Sequence, residues 1–178
     1  DILVVDDNIA NLRMLTDILK KAGYKPRPVE DPRAALEAAL AQPPSLILLD
    51  VRMPGMSGFE LCRRLKHEER TCDVPLIFVS ALEDTEDRVQ GFKVGGVDFV
   101  TKPVQEAEVL ARVKTHLQLR NRQLHLEALV AEAVELTQPH GLATDTNHVS
   151  ALSHDLDGSG QQLQADSLMQ CLLDLFLV

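Results

Sequence analysis

The chain has 178 residues, 45% of them apolar, 25% charged and 3% aromatic with no Trp, and a formal net charge of -9. That length holds one full domain with an appendage or two small ones, and the composition is that of a globular protein with an aliphatic core, which excludes global disorder. Lys and Arg number 14 against 17 Asp and Glu over 1–103, 4 against 5 over 104–136 and 0 against 5 over 137–178, so the last stretch has no cation for the phosphate contacts of nucleic-acid binding.

In chain order, an aliphatic strand at 2–5 ("ILVV") is followed by helical spacing over 8–22 through Ile9, Leu12, Leu15, Ile18 and Leu19, closed by Gly23. A weaker strand at 25–29 ("KPRPV") leads to Asp31-Pro32, an N-cap with proline in the first helical position, and to a helix over 32–41 that Pro43-Pro44 stops. Then come a strand at 46–49 ("LILL"), a helix at 58–67 (Phe59, Leu61, Cys62, Leu65), a strand at 76–79 ("LIFV") and a helix over roughly 84–94 (Val89, Phe92, Val94). A weak strand at 97–101 ("VDFVT") and a last helix from Val104 complete the pattern. The glycines of "KVGGVDF" lack the spacing of a nucleotide loop and read as the cap of the preceding helix.

Strands alternating with helices require right-handed crossovers and a parallel sheet covered on both faces, and continuous apolar strands suit that burial. The expected fold over residues 1–120 is therefore α/β, an open doubly wound five-stranded parallel sheet with helices on both faces, followed by a helical extension.

Ligands of such a sheet bind beyond the carboxyl ends of its strands. The polar residues predicted there are Asp6 and Asp7 after the first strand, Asp50 after the third, Ser80 after the fourth and Lys102 past the fifth. Singly, Asp7 or Asn8 could cap a helix, Ser80 could turn a loop and Lys102 could be a solvated charge. Jointly, three carboxylates at one buried edge repel unless something cationic lies among them. Lys102 supplies one charge, and Mg2+ suits the rest, since it takes one or two carboxylates and leaves positions for phosphate oxygens.

"ILVVDDN", "LILLDVRMPGMSGFE", "PLIFVSA" and "DFVTKP" together resemble the signatures of the receiver (CheY-like) domain of two-component response regulators, over residues 1 to about 118. The resemblance implies that Asp50 accepts a phosphoryl group and that Asp6 and Asp7 hold Mg2+ with Asp50 and the backbone carbonyl of Arg52. It further implies that Ser80 and Lys102 receive the phosphoryl oxygens, that Ser80 and Phe99 form the switch, and that the Lys102-Pro103 peptide bond is cis. The implied partner is a sensor histidine kinase or phosphotransfer protein. The implied chemistry is self-catalysed phosphorylation and dephosphorylation of a signalling protein rather than an enzyme. The competing reading of Phe99 is an ordinary core aromatic. A receiver-fold scaffold that works without phosphorylation is the alternative function.

From Val104 to about Leu136 there is neither Pro nor Gly. Leu110, Val113, Leu117 and Leu124, then Leu126, Leu129, Ala133 and Leu136, form two stripes out of phase, with Arg120 and Glu127 on the seam. Residues 104–136 are read as an extended fifth helix and coiled-coil linker through which a homodimer forms, against a single helix packed on its own domain.

Residues 137–178 are expected to be a short acidic tail, with a boundary at Pro139 and Gly141. Within it "DLDGSGQQLQAD" resembles an EF-hand Ca2+ loop, with Asp155, Asp157 and Ser159 at ligand positions, Gly160 at the turn and Asp166 closing. Asp166 is shorter than the usual Glu, and Gln162 stands where an aliphatic residue is usual, so a turn between helices competes with a Ca2+-sensing tail. "SHDL" around His154 is similar to the start of a histidine-kinase phosphoacceptor box but lacks the basic residue and proline that follow there. Cys62, Cys72 and Cys171 form no CxxC and leave an odd count, and no apolar run approaches the ~20 residues of a membrane span. A cytoplasmic protein with reduced thiols and neither nucleic-acid nor membrane partners is expected. Its start at Asp1, without Met and directly before a strand, reads as clipped.

Overall fold

A computed structural model describes residues 1–81 and 85–137, the side chains of 85–87 and 135–137 excepted. The tail positions singled out above, His154, Asp155, Asp157, Ser159 and Asp166, lie outside the described residues. The elements run β1 (Ile2–Val5), α1 (Ile9–Lys21), β2 (Pro26–Val29), α2 (Pro32–Ala41), β3 (Leu46–Asp50), α3 (Gly58–His67), β4 (Leu76–Ser80), α4 (Thr85–Lys93), β5 (Asp98–Thr101) and α5 (Glu106–Thr137).

All five strands are parallel, in the order β2-β1-β3-β4-β5. The chain therefore winds one way from β1 and the other way from β3, and the crevice between those two strands opens at their carboxyl ends. Because strand side chains alternate, β1, β3, β4 and β5 each feed two cores. Leu3, Val5, Ile47, Leu49, Leu76, Phe78 and Phe99 meet Ala35 and Ala39 of α2 and Leu61, Cys62 and Leu65 of α3. The intervening Ile2, Val4, Leu46, Leu48, Ile77, Val79 and Val100 meet Leu12, Leu15 and Leu19 of α1 and Val109 and Val113 of α5. The continuous apolar runs of β1, β3 and β4 are what strands buried on both faces require. Truncating Leu48, only 1% exposed, to Ala would cost about 2–5 kcal/mol.

Local chemistry fixes the helix starts. Asn8 Oδ1 accepts from the backbone N–H groups of Ala10 and Asn11 at 2.9 and 3.3 Å, which settles the cap of α1 on Asn8 rather than Asp7. Asp31 caps α2 in the same way, with Pro32 in its first turn, and Ser57 accepts from Glu60 N–H at the start of α3. β2 holds Pro26 and Pro28, which only an edge strand tolerates.

Candidate functional site

β3 is buried along its whole length and ends on Asp50, which is 6% exposed. The strand's apolar residues anchor it in both cores, so the carboxylate at its tip has little freedom. The chain then turns back through a loop that Gly58 closes, its N–H donating to Val51 O at 2.9 Å. A Cβ at 58 would overlap the carbonyl oxygen of Asp50, so only glycine lets the loop lie this close to the strand end.

One carboxylate oxygen from each of Asp6, Asp7 and Asp50 lies within 4.8 Å of the others. Asp6 is buried and Asp7 exposed. Asp6 is tied down from three sides: Asn8 N–H donates to Oδ1 at 2.9 Å, and Asn11 Nδ2 bridges both oxygens at 3.0 Å. The third tie is the ammonium of Lys102, 2.8 Å from Asp6 Oδ2 and 3.0 Å from Asp50 Oδ1.

Burial raises the Asp50 carboxyl above its ordinary pKa; Lys102 and the Val51 N–H pull it down, Asp6 pushes it up, and the net direction is upward. Burial alone would lower Lys102, but its hydrogen bonds to Asp6 and Asp50 outweigh that and raise it. One ammonium among three carboxylates leaves negative charge uncompensated. The donors are all oxygen, which fits a hard divalent cation. Arg52 lines an open depression of about 600 Å³ beside the cluster, with Asp7, Val51, Met53, Pro54, Ser57 and Phe59.

Ser80 ends β4, buried, one residue past Val79, the register partner of Asp50, and its carbonyl accepts from Lys102 N–H at 2.9 Å. The Lys102-Pro103 bond is cis. Asp6, Asp7, Asp50, Ser80 and Lys102 thus share one end of the sheet. Phe99 does not join them. It is 4% exposed, its ring centroid 5.1 Å from Phe78 and 5.3 Å from Phe92, with the Arg88 guanidinium carbon 5.8 Å above it. In this structure the ring already faces inward.

Sequence reasoning missed Asn11, whose only signal is a polar residue in the first turn of α1 on the side facing Asp6. It also missed Arg88, and it placed Phe92 in the fourth helix without foreseeing its contact with Phe99, because α4 has no clear apolar face to orient either side chain. The sequence expectation for α5 also needs changing: Val109 and Val113 are buried in the second core, and Leu110 and Leu117 pack against it. Arg120 does not lie on a seam but donates to the carbonyls of Pro44 and Ser45, both at 2.8 Å.

The model of the response regulator receiver domain family matches residues 2–114. The chain belongs to that family. It is 43% identical over 114 residues to the response regulator PleD of Caulobacter vibrioides, covering 64% of this chain and 25% of that one. It is 40% identical over 116 residues to the phosphate regulon transcriptional regulatory protein PhoB of Pseudomonas aeruginosa, covering 65% and 51%. A crystal structure of a putative response regulator from Chloroflexus aurantiacus superposes with a TM-score of 0.64 at 32% identity, covering 66% of this chain and 96% of that one.

This receiver therefore spans a quarter to about half of those curated relatives. It is a signalling module of two-component systems. PhoB is named a transcriptional regulator, so the expectation of no nucleic-acid partner finds no support among the relatives. Among the described residues no helix is long and apolar enough to cross a membrane.

Proposed function

We propose that this receiver takes a phosphoryl group onto Asp50 from the phosphohistidine of a sensor kinase or phosphotransfer protein, and passes the change on through protein contacts in the cytoplasm. The observation that carries the reading is the meeting of Asp6, Asp7 and Asp50 with Lys102 at the end of a rigid, buried strand. Asp6, Asp7 and Asp50, with the carbonyl of Arg52, are the groups that would hold Mg2+. When bound, the ion neutralises charge on the transferring phosphoryl group.

An oxygen of Asp50 forms the new bond to phosphorus as the bond from phosphorus to the donor's imidazole nitrogen breaks, and the electron pair leaves with that nitrogen. The protein's share is positioning and electrostatics. Burial in β3 fixes the nucleophile, and the loop closed at Gly58 holds the far side. Lys102 and the Ser80 hydroxyl donate hydrogen bonds to the phosphoryl oxygens. The added charge of roughly 1.5–2 then draws on both donors and reorganises the ends of β4 and β5. The receiver proper is proposed to end near residue 118, with α5 continuing as the link onward.

Incubation with a small-molecule phosphodonor and Mg2+ tests this reading. The parent chain should acquire one base-labile phosphoryl group, Asp50→Asn should acquire none, and Ser80→Ala should still be labelled. A parent chain that takes no label would point to a receiver-fold scaffold instead.

A further inference from the structure

α5 outruns the domain it belongs to. Its inner face is spent by Leu117, and Arg120 reaches back to the body of the receiver at Pro44 and Ser45. Every residue from Asn121 to Val134 is exposed. Even so, Leu124, Leu126, Leu129, Val130 and Val134 on that segment, and Leu119 just before it, are large apolar side chains 48–62% exposed. A helix of this length is marginal alone in water, and its stability ordinarily comes from covering an apolar face.

Leu119, Gln123, Leu126, Val130 and Ala133 follow one another at intervals of four, three, four and three, the seam of a left-handed coiled coil. In heptad terms Leu119, Leu126 and Ala133 are d positions, while Gln123 and Val130 are a positions. Leucine at d with a β-branched residue at a favours two parallel strands, and one polar a residue fixes their register.

The flanks identify the occupant. In a parallel pair, each g residue faces the residue five places on in its partner. Arg122 then meets the partner's Glu127, and Leu129 meets the partner's Val134. Both matches are complementary, one by charge and one by apolarity, and each occurs twice by symmetry. Antiparallel pairing over the same stretch would instead bring g against g, setting the Arg122 guanidinium against the partner's Leu129. Of the six exposed apolar side chains only Leu124 falls outside the a, d, e and g positions.

We propose that residues 119–134 form a parallel, in-register two-stranded coiled coil with a second copy of this chain. This pairing does not depend on phosphorylation of Asp50, and it sets the two chains side by side where they leave α5.

Light scattering coupled to size exclusion, over a range of concentrations, tests this on the 178-residue chain and on its Asp50→Asn variant. Both should be dimers, and Leu126→Glu combined with Val130→Glu should give a monomer that still takes label from a phosphodonor. Arg122→Glu and Glu127→Arg should each weaken self-association several-fold, and mixing the two variants should restore it as a heterodimer. Gln123→Cys, oxidised, should give a disulfide-linked dimer absent from the parent. A parent that stays monomeric at all concentrations, because its stripe takes another occupant, would overturn the proposal. A Gln123→Cys chain that does not cross-link would overturn the parallel register. Neither result would bear on labelling at Asp50.

Discussion

The Lys102 ammonium stands 3.0 Å from Asp50 Oδ1, although one residue follows the last strand and the other ends the central one. Only the parallel winding of the sheet brings them together, and the same ammonium holds Asp6 at 2.8 Å. Two largely buried carboxylates therefore share one cation. Lys102→Met should leave them facing each other without it and cost about 1–3 kcal/mol in urea unfolding. It should also slow phosphodonor labelling by roughly 10²-fold, the usual loss of one charge-stabilising donor. A variant as stable and as quickly labelled as the parent would show that the ammonium carries neither function.

Addition of Mg2+ should raise the melting temperature of the parent, and a chelator should reverse the rise. Stabilisation by a ligand that binds the folded state reaches about 2.7 kcal/mol at a hundred times its dissociation constant. Asp7 is exposed, so Asp7→Asn should leave stability without metal within about 0.5 kcal/mol while shrinking the response to Mg2+. An undiminished response would remove Asp7 from the ligand set.

Gly91 lies where a Cβ would overlap the ring of Phe99 and press on that of Phe78. Gly91→Ala should destabilise the fold by about 1–3 kcal/mol, as overpacking does. Phe99→Leu in the same chain should recover part of that loss by making room. No recovery in the double variant would mean that the strain lies in α4 itself rather than against Phe99.

Asp98 faces Arg112 at 2.6 Å and His116 at 3.1 Å. Burial would raise its pKa, but the hydrogen bonds from Arg112, the Phe99 N–H and His116 outweigh burial and leave it lowered. A carboxyl lowered on folding stabilises the protein above its unfolded pKa, about 3.9, and that contribution is lost as pH falls through the folded value. Arg112→Gln should therefore reduce stability at neutral pH and make it less sensitive to acid below about pH 4. Parallel acid-unfolding curves for the two chains would contradict this.

Much of the site was legible because its residues follow strands whose apolar runs leave no doubt where they end. Asp50 after "LILL" and Ser80 after "LIFV" are placed by the strand period alone, and the order of a doubly wound sheet puts their loops at one edge. Asn11 and Arg88 were not legible in this way, since each acts through a side chain whose direction depends on tertiary packing. α5 misled for a different reason. Helical periodicity identifies a buried face when one face is apolar, and this helix is apolar first on the side facing its own domain and then on another. The change of side follows Leu117, where contact with the second core ends.

At the outer strand of the sheet, Lys25 O accepts from Ile2 N–H and Val29 O accepts from Asp6 N–H. Alternate residues therefore point to β1, and Pro26 and Pro28 point away from it. The rim that could invite another strand thus has no amide hydrogens to offer at those two positions. A second copy cannot complete a ladder of hydrogen bonds at those two positions, whereas a meeting of helices needs no such ladder.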